Sequence, residues 1–436
     1  MFLDPIVLFC NIDMAPKKSN ESKDVRTPVT YMAVPRWWFL ALTAVLIATW
    51  LGVATIWLRA GGHASGDGGI PTPATAARTG KWGEMTLVPI VISPPMELVF
   101  TDWGFMRQPT WFFPGANADM VAQVLQSAGV SAADAERLRA GARPESRIGG
   151  VVLTPDPAWV RSLTPETRAR IYHMLAGCEL NVNQVQAFRY PGGNLESWLD
   201  PGLISPHTRQ LVEPLIYRDG SYMLFSDVEL VRKEIGDEEE LRRLGKTLYR
   251  QPTVIARLSV NRPADVDELV EYWGRGGRRT EIRPLLESVA GGGADRFIDV
   301  IHLLPPFARK YLYRYPKLSA ADIDKPAVVN CLWTSLNFFQ TKADDRFLDA
   351  AVALKTLKED YFVVESDFEL GDIVAFLDEK GDLFHAAVYV ADDLVFSKNG
   401  ISAMAPWTLM SIDDVKGYYR WRSETPRMIV HRRKNF

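Results

Sequence analysis

The sequence predicts an α+β protein with an N-terminal transmembrane helix, a mostly helical middle domain and a C-terminal domain containing an antiparallel sheet. Three observations lead to this prediction. Residues 37–58 are apolar and carry no charge, helix-capping signals recur through the middle of the chain, and alternating strands with tight turns fill the C-terminal part. The predicted segments are 1–36, 37–58, 59–81, 82–317 and 318–436.

Residues 37–58 read WWFLALTAVLIATWLGVATIWL. A helix of this length extends about 33 Å, enough to cross a hydrocarbon layer of about 30 Å. Basic residues before it outnumber those after it: Lys17, Lys18, Lys23, Arg26 and Arg36 precede, and Arg59 and Arg78 follow. We therefore expect a single-pass membrane protein whose residues 1–36 are cytoplasmic and whose body is extracytoplasmic. A cleaved signal peptide is the alternative, although Ala60-Gly61-Gly62 matches a cleavage site only loosely.

Residues 59–81 are rich in Gly, Ala, Thr and Pro and are predicted to form a flexible linker. In residues 82–317, capping residues open several helices, Asp219-Gly220 predicts a hairpin turn, and residues 253–260 read as a strand. The loop at 274–279 (GRGGRR) could hold an anion, but a solvated loop is the favoured interpretation. Residues 82–317 contain no sequence pattern that indicates a catalytic function.

The composition argues against nucleic-acid binding, a zinc site and a disulfide scaffold. The net charge of the 436 residues is -3, which gives no electrostatic case for nucleic-acid binding. The cysteines, Cys10, Cys178 and Cys331, have neither a zinc-site spacing nor the number for a disulfide scaffold. We expect neither a metal nor an organic cofactor.

The most informative part of the sequence begins at Asn330-Cys331, which opens an apolar-periodic helix. A cysteine at the start of a helix is well placed to form a thiolate, the nucleophilic form of the side chain. Strands are predicted at 370–376, 383–390 and 394–398. Alternation along the second strand places His385, Ala387 and Tyr389 on one face. The small alanines beside His385 leave room for the helix that carries Cys331.

A base acting on the thiol needs a polar group to orient it, and the third strand should supply that group. If the turn between the strands has three residues, Asn399 lies opposite His385 and Ser397 is a neighbour on the same face. If the turn has two residues, Lys398 lies on that face instead. The sequence leaves both registers open.

The order of these features resembles the NlpC family of papain-like cysteine peptidases, to which the CHAP amidases are similar. The resemblance is carried by Asn330-Cys331 at a helix start, by Leu-Gly-Asp-Ile-Val at 370–374, and by His385-Ala-Ala-Val-Tyr-Val 54 residues after the cysteine. It implies that Cys331 is the nucleophile, His385 the base and Asn399 the third residue, with Ser397 and Lys398 as alternatives. It also implies a substrate, the amide bonds of peptidoglycan peptides. The sequence departs from the family where Leu332-Trp333-Thr334 replaces the usual Ser-Gly-Phe.

Three other interpretations stay open. Cys178 and Cys331 could pair as a disulfide in an oxidising compartment. The fold could serve as a non-catalytic envelope-binding or scaffolding module. A Cys–His pair could also transfer acyl groups to or from lipid.

Overall fold

The computed structural model describes residues 77–99, 108–260, 265–292, 296–316, 329–400, 402 and 404–434. Chain contacts divide the protein into two units, Met1–Pro71 and Thr72–Phe436, and all the described residues belong to the second. The predicted segments 1–36 and 37–58 and the predicted boundary between 317 and 318 lie outside the described residues. At the end of the predicted linker, Arg78–Gly80 is a strand.

The strands carry the alternating or continuously apolar patterns that pack on one or both faces of a sheet. In chain order they are β1 Arg78–Gly80, β2 Gly83–Ile92, β3 Trp111–Phe113, β4 Arg143–Glu145, β5 Gly150–Leu153, β6 Phe188–Pro191, β7 Tyr217–Asp219, β8 Tyr222–Phe225, β9 Gln251–Ser259, β10 Phe297–Asp299, β11 Tyr361–Val364, β12 Ile373–Leu377, β13 Leu383–Ala391, β14 Leu394–Lys398, β15 Trp407–Ser411 and β16 Arg427–Arg433. The hairpin predicted at Asp219-Gly220 is confirmed, since Gly220 turns between β7 and β8 with φ 58°.

Most of the helices begin where a capping side chain satisfies a backbone N–H group of the first turn. In chain order they are α1 Ala118–Ser127, α2 Ala132–Ala140, α3 Pro157–Ser162, α4 Pro165–Leu175, α5 Val182–Val185, α6 Leu195–Trp198, α7 Pro206–Val212, α8 Val228–Ile235, α9 Glu238–Leu248, α10 Asp265–Trp273, α11 Arg279–Ala290, α12 Pro306–Tyr311, α13 Cys331–Leu336, α14 Ala350–Asp360 and α15 Ile412–Tyr418. Asn117, Thr164 and Ser205 cap α1, α4 and α7, as the sequence predicts. Short 3-10 turns lie at Met96–Leu98, Ser146–Ile148, Glu213–Leu215, Val300–His302 and Asp345–Leu348.

The strands form four antiparallel sheets. The middle region (residues 82–317) supplies most of the sheet β1-β2-β9-β10 and all of two small ones, β3-β5-β4 and β6-β8-β7. The C-terminal region (residues 318–436) forms a six-stranded sheet in the order β11-β16-β12-β13-β14-β15. The described fold is therefore α+β with antiparallel sheets, and the middle region mixes strands with its helices.

The fold-class prediction was wrong in one respect, because it included a membrane-spanning helix. Among the described residues, no helix combines the length and the apolar character needed to cross a membrane. The longest of them, α11, has 12 residues and extends about 18 Å, against the roughly 30 Å of a hydrocarbon layer. Residues 37–58, from which that prediction came, lie outside the described part of the chain. The predicted localisation, which depends on the charges flanking them, stays a prediction.

One apolar core joins the middle and C-terminal regions. It contains Leu258 of β9, Trp333 of α13 and Phe396 of β14, all buried. The hydroxyl of Thr253 on β9 also links the two regions, because it donates to the Leu409 carbonyl at 2.9 Å and accepts from the Leu409 N–H at 3.1 Å. The four-stranded sheet therefore supports the edge of the six-stranded sheet at β15.

The middle region contains a buried charged group that we call the Arg168 network: Arg168, Asp227 and Tyr172. Arg168 is fully buried and donates to the Val160 carbonyl at 2.7 Å. Its Nε lies 3.2 Å from Asp227 Oδ2 as an ion pair without hydrogen-bond alignment, and the Tyr172 hydroxyl donates to Asp227 Oδ1 at 2.7 Å. The buried positive charge thus has a carboxylate beside it.

Candidate active site

Cys331 is the first residue of α13, and the residue before it explains why the helix starts there. The Asn330 side chain accepts from the Trp333 N–H at 2.8 Å, which satisfies one of the free donors of the first turn. Helix α13 packs on β13 and β14 of the six-stranded sheet. Its buried residues Leu332, Trp333 and Leu336 enter the shared core. The helix therefore holds the cysteine against the strand that carries His385.

The register between β13 and β14 fixes which polar residues share a face. Val388 pairs with Phe396 and Tyr389 with Val395, and this register, continued, places Asn399 opposite His385. Of the two registers that the sequence left open, the structure has the one in which Ser397 and Asn399 accompany His385. Lys398 is on the opposite face, where it pairs with Trp407 of β15.

One ring nitrogen of His385, Nε2, takes part in a chain of hydrogen bonds between uncharged groups. His385 Nε2 lies 2.9 Å from Ser397 Oγ, and that hydroxyl donates to Asn399 Oδ1 at 2.8 Å. Because the serine proton is used on Asn399, Nε2 must carry the proton and donate to Ser397. The third residue in direct contact with the imidazole is therefore Ser397, and Asn399, the predicted third residue, lies one hydrogen bond further away.

The other ring nitrogen, Nδ1, has no hydrogen-bond partner in the described part of the chain although it is buried. In the tautomer that Ser397 selects, Nδ1 holds a lone pair and can accept a proton. The ring of Tyr419 stacks on the imidazole with centroids 4.5 Å apart. Burial lowers the pKa of His385 to about 3, so the ring is neutral at physiological pH.

Cys331 packs against the apolar core that includes Ala386 of β13. Burial raises the pKa of the thiol, while the backbone N–H groups of Ala386, Leu332 and Cys331 itself oppose that rise. Ala386 directly follows His385. A negative charge at Cys331 also helps to raise the pKa of Tyr419, after burial and Tyr418.

Cys331 packs against the core that contains Ala386, whereas the His385 ring lies on the other face of β13 and stacks on Tyr419. The hydrogen bonds of the described residues include none between the thiol and the imidazole. In resting enzymes, catalytic hydrogen bonds are often long and shorten only when substrate binds. A protonated thiol beside an imidazole with a free lone pair can carry out nucleophilic acyl transfer once the proton moves to Nδ1.

The predicted residues His385, Ser397 and Asn399 lie in one hydrogen-bonded chain. Sequence reasoning missed Tyr419, which follows α15 and stacks on His385. The Gly400 N–H donates to the Tyr419 hydroxyl at 2.9 Å, which fixes the ring over His385. Neither periodicity nor spacing connects Tyr419 with Cys331, so the sequence held no signal for it.

The other candidate sites have simpler explanations. Cys178 and Cys331 are both free thiols. In the loop at 274–279, Arg275 pairs with Glu369, and buried Arg278 donates to the Leu303 carbonyl at 2.8 Å. These arginines are therefore engaged within the protein. The described residues hold no cluster of three or more His, Cys, Asp or Glu side chains suited to a metal ion.

Comparison of the chain with protein-family models, with curated proteins and with solved structures finds no match. The chemistry of the site must therefore be argued from its own geometry.

Proposed function

We propose that this protein is a cysteine hydrolase that cleaves amide bonds, with Cys331 as nucleophile and His385 as base. One observation carries the proposal: Ser397 occupies His385 Nε2, so the buried Nδ1 keeps a free lone pair, on a strand against which the Cys331 helix packs. A base that is oriented on one nitrogen and free on the other is the arrangement that nucleophilic thiol catalysis needs.

The steps follow from this arrangement. The thiol proton passes to His385 Nδ1 as the sulfur attacks the amide carbonyl carbon, giving a tetrahedral intermediate with a negatively charged oxygen. Backbone N–H groups at the start of α13 stabilise that oxygen. The intermediate collapses to a thioester as the amine leaves with the proton from His385. Water, deprotonated by His385, then attacks the thioester and releases the acid and the free thiol.

The substrate class is proposed from the resemblance in the sequence. Asn330-Cys331, the strand at Ile373–Leu377 and His385 follow the order of enzymes that act on peptidoglycan peptides. Amide bonds of cell-wall peptides are therefore the substrates to test first. Such a reaction requires no metal or organic cofactor.

A second candidate is a non-catalytic envelope-binding or scaffolding module on the same fold. The observation that favours it is the burial of both groups, since burial raises the pKa of Cys331 and lowers that of His385. Both shifts oppose proton transfer from thiol to imidazole in the resting protein. In a binding module, the buried polar residues would serve only to fix the hairpin.

The first prediction tests the nucleophile with the full chain and purified peptidoglycan. Cys331→Ala should lower the rate of amide hydrolysis by about 10³-fold or more, because no other group in the site replaces the sulfur. New amino groups in the soluble fraction measure the rate, and mass spectrometry of the released peptides identifies the bond. Cys178→Ala, which removes the other described free thiol, is the matched control and should keep the wild-type rate.

Equal hydrolysis by the wild type and Cys331→Ala would exclude a thiol mechanism. Absence of hydrolysis in the wild type, together with equal binding of both proteins to peptidoglycan in a sedimentation assay, would favour the binding module.

A further inference from the structure

Lys398 is a fully buried lysine on the face of β14 opposite to Ser397 and Asn399. Its Nζ donates to the carbonyls of Gly400 at 2.9 Å and Ser402 at 3.0 Å. It also lies 5.7 Å from the centroid of the Trp407 ring. These contacts fix the amine in one position.

No carboxylate forms an ion pair with Lys398 among the residues that the structure describes, although buried charges usually have such a partner. The amine is satisfied by two carbonyl groups, which are dipoles and carry no net charge. Isolated burial of this kind is costly, and burial lowers the pKa of Lys398 to about 7. A charged Lys398 therefore still lacks an anion.

Helix α13 packs on the face of β14 that carries Lys398, because Cys331 lies against the apolar core that contains Phe396, two residues before Lys398. Cys331 is the ionisable residue of α13. A thiolate at Cys331 raises the pKa of Lys398, and the Lys398 charge lowers the pKa of Cys331, so each group responds to the other. Helix α13 and the lysine face are also connected through Trp407, whose Nε1 donates to Thr334 Oγ1 at 3.0 Å. This bond holds the cysteine helix on the strand pair that carries the lysine.

Two other titratable groups surround the pair. Burial keeps the phenol of Tyr419 protonated by raising its pKa, and a charge at Cys331 raises that pKa further. His385 lies on the other face of the strand and is neutral at physiological pH. Among the described side chains around the thiol, Lys398 therefore supplies the positive charge.

We infer that Lys398 is the counter-charge of the Cys331 thiolate and sets the pH at which this thiol becomes reactive. The inference deepens the proposed function, because it assigns the electrostatic control of the same nucleophile. Starting from thiol and ammonium, the pair loses one proton, which leaves either thiolate with ammonium or thiol with amine. The attraction between opposite charges favours the first form, and the proton goes to solvent or to His385.

The test is the rate at which iodoacetamide alkylates Cys331 in the full chain, measured from pH 5 to pH 10 by mass spectrometry of the Cys331 peptide. Lys398→Met keeps the length of the side chain and removes the charge. We expect it to move the midpoint of the pH profile upward by about one unit and to slow alkylation at pH 7 about tenfold. Lys355→Met, which removes an exposed lysine on α14, is the matched control and should leave the profile unchanged.

Thermal unfolding of Lys398→Met separates this role from a structural one. If the lysine is a counter-charge, its replacement should leave the melting temperature unchanged or higher, because a buried charge is removed. An unchanged alkylation profile overturns the inference. So does a variant that fails to fold, since the amine would then serve to hold Gly400 and Ser402.

The proposed function and this inference can fail separately. If Cys331→Ala still hydrolyses peptidoglycan while Lys398→Met slows alkylation, the hydrolase proposal fails and the thiol–lysine pair stands. If Cys331→Ala abolishes hydrolysis while Lys398→Met leaves alkylation unchanged, the hydrolase stands and the inference fails.

Discussion

The middle and C-terminal regions differ in whether a buried basic side chain has a carboxylate beside it. In the Arg168 network, the fully buried guanidinium has Asp227 beside it, and Asp227 in turn accepts from Tyr172. In the C-terminal site, Lys398 is equally buried but is held by carbonyl groups alone. The first arrangement neutralises the buried charge. The second leaves a buried amine without a carboxylate beside it among the described residues.

His173 in the middle region and His385 in the C-terminal region differ in the same sense. His173 in the middle region lies 3.2 Å from Asp219, and this contact raises its pKa. The hydrogen-bond partner of His385 is the neutral side chain of Ser397, and burial lowers the pKa of His385. Ionisable groups that lack opposite charges are typical of functional sites, where stability is given up for reactivity. The difference therefore points to the C-terminal region as the place of the chemistry.

The largest effect on stability should come from breaking the neutralised pair. Asp227→Asn leaves Arg168 buried without an anion and should lower the free energy of unfolding by about 3 kcal/mol or more. Urea denaturation followed by circular dichroism measures it. Asp119→Asn, which removes an exposed partner of Arg139, is the control and should have no detectable effect. If Asp227→Asn proved as stable as the wild type, the contrast between the two regions would disappear.

A smaller effect should appear in the pH dependence of stability. In the unfolded chain His385 is protonated as the pH falls below about 6.5, whereas in the folded protein it is protonated only near pH 3. The free energy of unfolding therefore falls as the pH falls between these two values. Between pH 6.5 and 5.0 this should amount to about 2 kcal/mol. For His173 the sign is reversed: its contribution is complete below about pH 6.5 and is lost as the pH rises through its raised pKa.

Urea denaturation at both pH values, in the wild type, His385→Gln and His173→Gln, would measure these contributions. Between pH 6.5 and 5.0, His385→Gln should lose less stability than the wild type, and His173→Gln should lose about as much as the wild type. Parallel changes in all three proteins would contradict the assigned charge states.

The smallest effect should come from the neutral hydrogen-bond chain. Ser397→Ala leaves the Nε2–H of His385 without its acceptor and should lower the free energy of unfolding by about 1–2 kcal/mol. Asn399→Ala leaves the His385 contact in place, so its effect on thiol alkylation should be the weaker one. Alkylation rates of Cys331 in both variants provide the comparison. A larger effect from Asn399→Ala would make Asn399 the residue that orients the imidazole.

The sequence predicts those parts of the site that depend on local chemistry. The capping of α13 by Asn330 and the bounds of β14 follow from residue type and alternation within a few positions. The register of the hairpin does not, because two turn lengths fit the same residues. The choice between Ser397 and Lys398 therefore needed the structure.

Long-range contacts could not be predicted. Tyr419 reaches His385 from a helix beyond β15, and α13 is held by Trp407 through a bond between residues 73 positions apart. The sheets of the middle region are built from strands of three to ten residues, some too short to show a period of two. Helical caps are the stronger local signal, which explains why that region was predicted as mostly helical.

The order of strands in the six-stranded sheet also bears on when this protein can become active during its synthesis. β16 is the last described strand in the chain, yet it lies between β11 and β12 and pairs with both. While β16 is still within the ribosome, β11 cannot join the sheet and β12 has an open edge. A growing chain therefore displays Cys331 and His385 before the sheet that positions them is closed. The six-stranded sheet is therefore complete only after residues 427–433 have left the ribosome.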